Sequence, residues 1–192
     1  MKIGIIAEDD SDVAVIKEIT LKLLRPHAVR FKKFVGDGCG KIQRKCASWA
    51  INLVLQECRW IAVVHDLDTN REEELRACLT RCVSSANAEA HVVVIPKREI
   101  EAWLLYDRIA IAAVFQKGKY PRLPGNPESL ADPKKHLRDL VWKTYRKDYL
   151  NTVHNSKIAR NIDLARLDGC PSFAPYPVFS AAVRQALASR PT

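Results

Sequence analysis

No apolar run in the 192-residue chain approaches the ~20 residues that a membrane-spanning helix needs. The first run, at residues 2–7, is too short for the core of an export signal, and no small-residue cleavage site follows it. The cytoplasm is therefore the expected compartment, and the six cysteines are expected to be reduced thiols. There is no Cys-x-x-Cys pair, which argues against zinc. Cys46, Cys58, Cys78 and Cys82 read mainly as small apolar fillers. Internal repeats, low-complexity tracts and long linkers are also absent. A single compact unit is expected, long enough to bury a core without disulfide or metal staples.

What is present is a globular composition, 47% hydrophobic, and a net charge of +9. The charge is unevenly placed. Residues 1–96 carry 14 basic and 13 acidic side chains, and residues 97–192 carry 17 and 9. A basic second half suits a polyanionic partner, most simply a nucleic acid. An ordinary soluble surface accounts for the charge about as well.

The first half alternates two patterns. Short apolar runs at 2–7, 28–35, 61–64 and 91–95 read as strands. Between them, 11–24, 41–58 and 70–86 carry apolar residues at helical spacing. Strands separated by helices imply a parallel sheet with right-handed crossovers, and unbroken apolar strands imply a sheet covered on both faces. No strand pattern follows residue 96; helices are expected at 99–115, 133–145, 156–167 and 179–189. The expected organisation is an α/β core over 1–106 and a helical basic extension over 107–192, packed on the core.

Ligands of open parallel sheets bind beyond the carboxyl ends of the strands. Three of those ends here carry acids: Glu8, Asp9, Asp10 and Asp12 after the first, Asp66 and Asp68 after the third, Glu99 and Glu101 after the fourth. In extended backbone the side chains of Asp66 and Asp68 would point the same way. Carboxylates so close repel one another, and a divalent cation removes the conflict. Oxygen ligands without thiolate or imidazole favour Mg²⁺ or Mn²⁺. Helix capping by Asp9, Asp10 or Ser11, and by Asp68 or Thr69, accounts for one acid at each junction, but poorly for three loaded strand ends.

Glu8 and the run Asp66-Leu67-Asp68 are similar to the glutamate and Asp-x-Asp motifs of the topoisomerase–primase (Toprim) fold. The likeness is closest to the overcoming-lysogenisation-defect (OLD) nucleases and to a small Toprim-like family often encoded beside ATPases. In those nucleases the first motif runs Glu-Gly-x-x-Asp; here Glu8 and Asp12 keep the acids and Asp9 replaces the glycine. Arg98-Glu99-Ile100-Glu101 resembles the Arg-x-x-Glu stretch after strand four, which aligns Glu101 rather than Glu99. Asp132-Pro133-Lys134 and Pro171-Ser172-Phe173 resemble stretches of the small family.

The resemblance implies a Toprim-like, Rossmann-like α/β fold and a metal-dependent nuclease. Glu8, Asp12, Asp66, Asp68 and Glu101 would hold two Mg²⁺ or Mn²⁺ ions. Glu8, Asp66, Asp68 and Lys157 would be catalytic, with Lys157 balancing charge on the phosphate and Lys134 and Lys135 behind it. Lys134, Lys135, Lys143, Arg146 and Lys147 would hold the nucleic-acid backbone, with DNA favoured over RNA. An ATPase partner and a role in defence against phage or plasmids are further implications.

Other patterns compete. Asp9, Asp10, Asp66 and Lys97 could form the site of a receiver domain phosphorylated on aspartate, although the spacing to Asp66 is long and Lys97 follows a proline. A non-catalytic partner subunit with a degenerate acid cluster is the third class. Residues 36–41, Gly-Asp-Gly-Cys-Gly-Lys, fail the Walker pattern and read as a helix-entry turn. His65 is expected to support the site, and Trp103, Leu104 and Leu105 to be core. Trp142, Tyr145 and Tyr149 interleave with Lys143, Arg146 and Lys147; this is either a stacking surface or, with a slightly better fit, a solvated helix with one aromatic face.

Overall fold

The structure, a computed structural model, describes residues 1–36 and 40–189. Strands β1 (Lys2–Ala7), β2 (Arg30–Val35), β3 (Trp60–Val64) and β4 (Ala90–Val94) form one sheet in the order β2-β1-β3-β4. Every pairing is parallel, with Ile3 beside both Phe31 and Trp60, and Trp60 beside Ala90. The crossovers contain α1 (Asp10–Leu23), α2 (Lys41–Leu55) and α3 (Glu72–Ser84). After β4 come α4 (Glu101–Leu104), α5 (Arg108–Phe115), α6 (Pro133–Tyr145), α7 (Asn151–Asn161) and α8 (Pro175–Ala188). This is a Rossmann-like α/β core with a helical C-terminal region.

The strand residues alternate between two apolar layers, as the two-residue period of a strand requires. Ile3, Ile5, Trp60, Ala62, Val64, Val92 and Val94 face a layer with α1 and the C-terminal helices. Ile6, Ile61, Val63 and Val93 face α2 and α3. Gly4 lies against α2, and a Cβ there would come within 2.7 Å of Leu53 Cδ1, so the helix rests directly on the backbone. The C-terminal helices add to the first layer: α7 packs on α1 and α5, and α8 on β4. Apolar packing therefore runs unbroken across residue 106.

Several expected elements shift. The helix expected over 99–115 is two helices, because Asp107 caps a fresh start: its Oδ1 accepts from the N–H groups of Ile109 (2.8 Å) and Ala110 (3.1 Å). The helix expected over 156–167 begins at Asn151, ends at Asn161 and is followed by a separate 3-10 turn, Leu164–Leu167. The last helix starts at Pro175, since proline at a first helical turn gives up no needed N–H. β2 is an edge strand with Arg30, Lys32 and Lys33 exposed, so the expected cover on both faces holds for β1, β3 and the end of β4 only. Of the expected turn at 36–41, residues 37–39 lie outside the described residues. Gly40, with φ +75°, opens α2.

Asp107 is also the clasp between α5 and the segment after α7. It is almost fully buried, and its Oδ2 accepts from Asp163 N–H at 2.9 Å. Asp107→Ala leaves three backbone donors short of a partner. It is expected to lower unfolding free energy by ~2–3 kcal/mol, read from urea denaturation.

Candidate functional site

β1 and β3 are neighbours, while the chain leaves β1 first for β2 on its other side. The crossover direction reverses there, and the reversal opens a crevice beyond the carboxyl ends of β1 and β3. Glu8 follows β1 directly and Asp66 lies just past β3. Glu8 Oε1 accepts from the Asp66 N–H (3.1 Å) and from His65 Nδ1 (2.6 Å). His65 is 3% exposed, and its Nδ1 also lies 2.7 Å from the Asp66 carbonyl. Burial pulls the imidazole pKa down, but the hydrogen bond and charge of Glu8 outweigh it and leave His65 raised. Glu8 thus staples the two strand ends, and His65 supports it from below as expected.

Asp66 is the centre of the cluster. Its Oδ1 is sealed from solvent and accepts no hydrogen bond. Burial, followed by the charges of Asp12, Glu8, Glu101 and Asp68, raises its pKa well above the usual carboxylate range. Asp12 is likewise raised, by burial and then by Asp9 and Glu101. Asp12 also serves α1: its Oδ2 accepts from Asp9 N–H at 3.2 Å, while Asp9 Oδ1 accepts from Ser11 and Asp12 N–H. This reciprocal cap fixes the Asp12 side chain at the crevice.

Glu101, rather than Glu99, belongs to the cluster. It is 3% exposed, and its Oε1 accepts from Asn155 Nδ2 (3.1 Å) and from the Tyr149 hydroxyl (3.3 Å). Tyr149 is hydrogen-bonded in turn to Asn155. Glu99 turns instead to α6, where its Oε2 accepts the Lys134 N–H at 2.8 Å.

Asp68 departs from the expected geometry. Its φ is +45°, so the chain has left the extended form and the two aspartates do not project in parallel. It sits half-buried on the rim, its pKa raised by burial and by Glu8. Its carbonyl accepts from the Arg98 guanidinium at 2.6 Å. Neither Asp68 nor Thr69 caps α3, which follows Arg71 without a side-chain cap.

The basic residues divide. Lys157 is exposed on α7, two positions after Asn155 and so ~200° around the helix from the side chain that meets Glu101. It is not brought to the acids. Arg98 and Lys134 reach the rim: the charge of Arg98 partly offsets the rise of Asp68, and the N–H and charge of Lys134 partly offset that of Glu99. Lys135 pairs with Asp139, Lys147 donates to the Phe115 carbonyl, and Lys143 and Arg146 are exposed near the other end of α6. Trp103, Leu104 and Leu105 are core, as expected, and of Trp142, Tyr145 and Tyr149 only Trp142 is exposed. Asp10 pairs with Lys33, and Lys97 with Glu72, so the lysine of the receiver pattern is directed away from Asp66.

The donor set fits a hard divalent cation. It is all carboxylate, with Asp12 and Glu101 buried and Glu8, Asp66 and Asp68 partly so, mutually repelling, and has one sealed oxygen without a partner. The side chains are not preassembled: among the described residues no group of three or more His, Cys, Asp or Glu is arranged to hold an ion.

The model of one family, a domain of unknown function (DUF4276), matches residues 7–176. The chain belongs to the DUF4276 family. The match spans every acid of the cluster together with Tyr149 and Asn155. No curated protein and no solved structure matches the chain. No helix among the described residues is long and apolar enough to cross a membrane.

Tyr149 and Asn155 were not anticipated as site residues. The available signal was the pair Asn151 and Asn155, four apart and hence on one face of α7. Asn151 Nδ2 reaches Ser11 Oγ at 3.2 Å, at the start of α1.

The raised pKa values carry a stability consequence. A carboxyl raised above its ordinary 3.8 in the fold contributes stability fully below that pH and loses it as pH rises through the folded value. In metal-free buffer, wild type should therefore lose stability relative to Asp66→Asn as pH climbs from about 4. At pH 7 the variant should be the more stable by ~1 kcal/mol or more, measured by chemical denaturation at each pH.

Proposed function

We propose that the acid cluster binds Mg²⁺ or Mn²⁺ and that the protein is a metal-dependent nuclease of Toprim type. The observation that carries this reading is the sealed, unpartnered Oδ1 of Asp66, set among Asp12, Glu8 and Glu101 at the reversal point of a parallel sheet. A buried carboxylate in that setting is costly unless protonated or bound to a cation. The Glu8–Asp66 N–H hydrogen bond, which joins the glutamate after β1 to the first aspartate after β3, supports the reading; Asp68 lies apart on the rim.

Bound divalent ions would supply an acidic water for attack on phosphorus and charge to stabilise the departing oxygen. The chain's own residues do the rest. Asp66, Asp12, Glu101 and Asp68 offer the oxygens. Glu8, held by His65 and the Asp66 N–H, fixes the spacing of the two strand ends. Tyr149 and Asn155 hold Glu101 in place. Arg98, beside Asp68, and Lys134, beside Glu99, would take the phosphate-binding part that the resemblance gives to Lys157. The basic second half would track a nucleic-acid backbone, with DNA favoured, in the cytoplasm and alongside an ATPase partner.

Calorimetric titration with Mn²⁺ tests the site. Wild type should bind, and Asp66→Ala/Asp68→Ala, folded by circular dichroism, should lose binding at least ~10-fold. Nuclease activity with Mn²⁺ should fall ~100-fold or more in the same variant. Wild-type protein that neither binds Mn²⁺ nor cuts DNA or RNA, with or without an ATPase partner, would leave the cluster a structural feature of a partner subunit.

A further inference from the structure

A second recess adjoins the acid cluster. It lies between α6 and the start of α7, has a volume near 470 Å³, and is walled by Arg138, Trp142, Lys147, Tyr149, Leu150 and Asn151. That is within the range of small-molecule sites, ~300–1,000 Å³. One of its walls is shared with the cluster, since Tyr149 donates to Glu101, and a second, Asn151, donates to Ser11, the residue before Asp12. A ligand seated in the recess is thus one side chain away from the carboxylates.

Its chemistry is that of a flat ring beside an anion. Trp142 is 52% exposed, although Trp60 and Trp103 are buried and Trp49 is stacked on Phe34. Exposing the largest apolar side chain to water has no folding benefit. Arg138 precedes Trp142 by one helical turn, on the same face of α6, and is exposed. Lys147 is also in the lining, with its ammonium donated to the Phe115 carbonyl, and Lys143 and Arg146 are exposed beside it along the chain. The lining also carries two exposed carboxylates, Asp139, which is paired with Lys135, and Asp148.

We propose that this recess holds one unpaired nucleotide of a single-stranded nucleic acid, its base stacked on Trp142 and its phosphate beside Arg138. An aromatic face next to a cationic wall is the recurrent means of holding single strands, because every base has a π-face and every nucleotide a phosphate. A paired, stacked base does not present its face and is refused. The inference deepens the nuclease reading and rests on it for the meaning of the site: a strand held here delivers a neighbouring phosphodiester to the acids. Single-stranded or locally unwound nucleic acid is then the substrate class.

The test is fluorescence anisotropy of an end-labelled single-stranded oligothymidylate, and of an end-labelled duplex of equal length, titrated with the full chain in EDTA so that nothing is cut, with tryptophan quenching read alongside. Wild type should be quenched by the single strand and bind it at least ~10-fold more tightly than the duplex. Trp142→Ala should weaken single-strand binding ~5- to 150-fold, and Trp142→Phe should restore much of it without the quenching signal. Arg138→Ala should reduce the slope of log affinity against log salt by ~0.7. Equal affinity for duplex, or unchanged binding by Trp142→Ala, would overturn the proposal. Because no metal is present, the outcome is separable from the nuclease reading. Absent Mn²⁺ binding with intact Trp142-dependent binding sinks hydrolysis and spares the recess, and the reverse pattern does the opposite.

Discussion

Like charges held together out of water are the constraint on which the rest of the site depends. Burial raises both Asp66 and Asp12, the charge of Asp12 adds to the rise of Asp66, that of Asp9 to the rise of Asp12, and Glu8 and Glu101 add to both. Such a cluster persists in a folded protein only if the surrounding structure enforces it or a cation relieves it. The enforcement is visible. Glu8 is pinned by a backbone N–H and by His65, Asp12 by a helix cap, and Glu101 by Tyr149 and Asn155. Asp66 is the member whose inner oxygen has no such partner.

The C-terminal helices therefore do more than cover the sheet. α7 packs on α1 and α5, and through Asn151 and Asn155 its polar face meets Ser11 and Glu101. Lys134, at the start of α6, holds Glu99 by its N–H and brings a cation to the rim. Half of the site's support comes from residues after 106, and the same apolar layer that seats α7 and α8 against α1 and the sheet sets those polar contacts in register.

Parts of this were readable in advance because they follow from local chemistry. The alternation of short apolar runs with helical spacing pointed to the parallel sheet, and the acids at three strand ends pointed to where the carboxylates gather. The preference for Glu101 came from the motif and matches its burial. Other expectations failed for reasons that local pattern does not contain. Asp68 lies at φ +45°, because the chain turns there to pair with the segment around Arg98. Lys157 points away because α7 begins five residues earlier than its pattern suggested, and its inward face is set by Asn151, Asn155 and Ile158. The helix over 99–115 breaks because Asp107 prefers to cap, and the tertiary contact with Asp163 N–H rewards that choice.

By itself, then, the sequence determined the secondary-structure period, the sheet's parallel sense and the charge at the strand ends. These depend on residues near one another in the chain. Tertiary structure alone decided which neighbours hold that charge: Tyr149 and Asn155 lie 48 and 54 residues from Glu101, and Glu8 lies 58 from Asp66. Contacts at such separations depend on how the helices pack around the sheet, and packing is a property of the whole apolar layer rather than of any one segment.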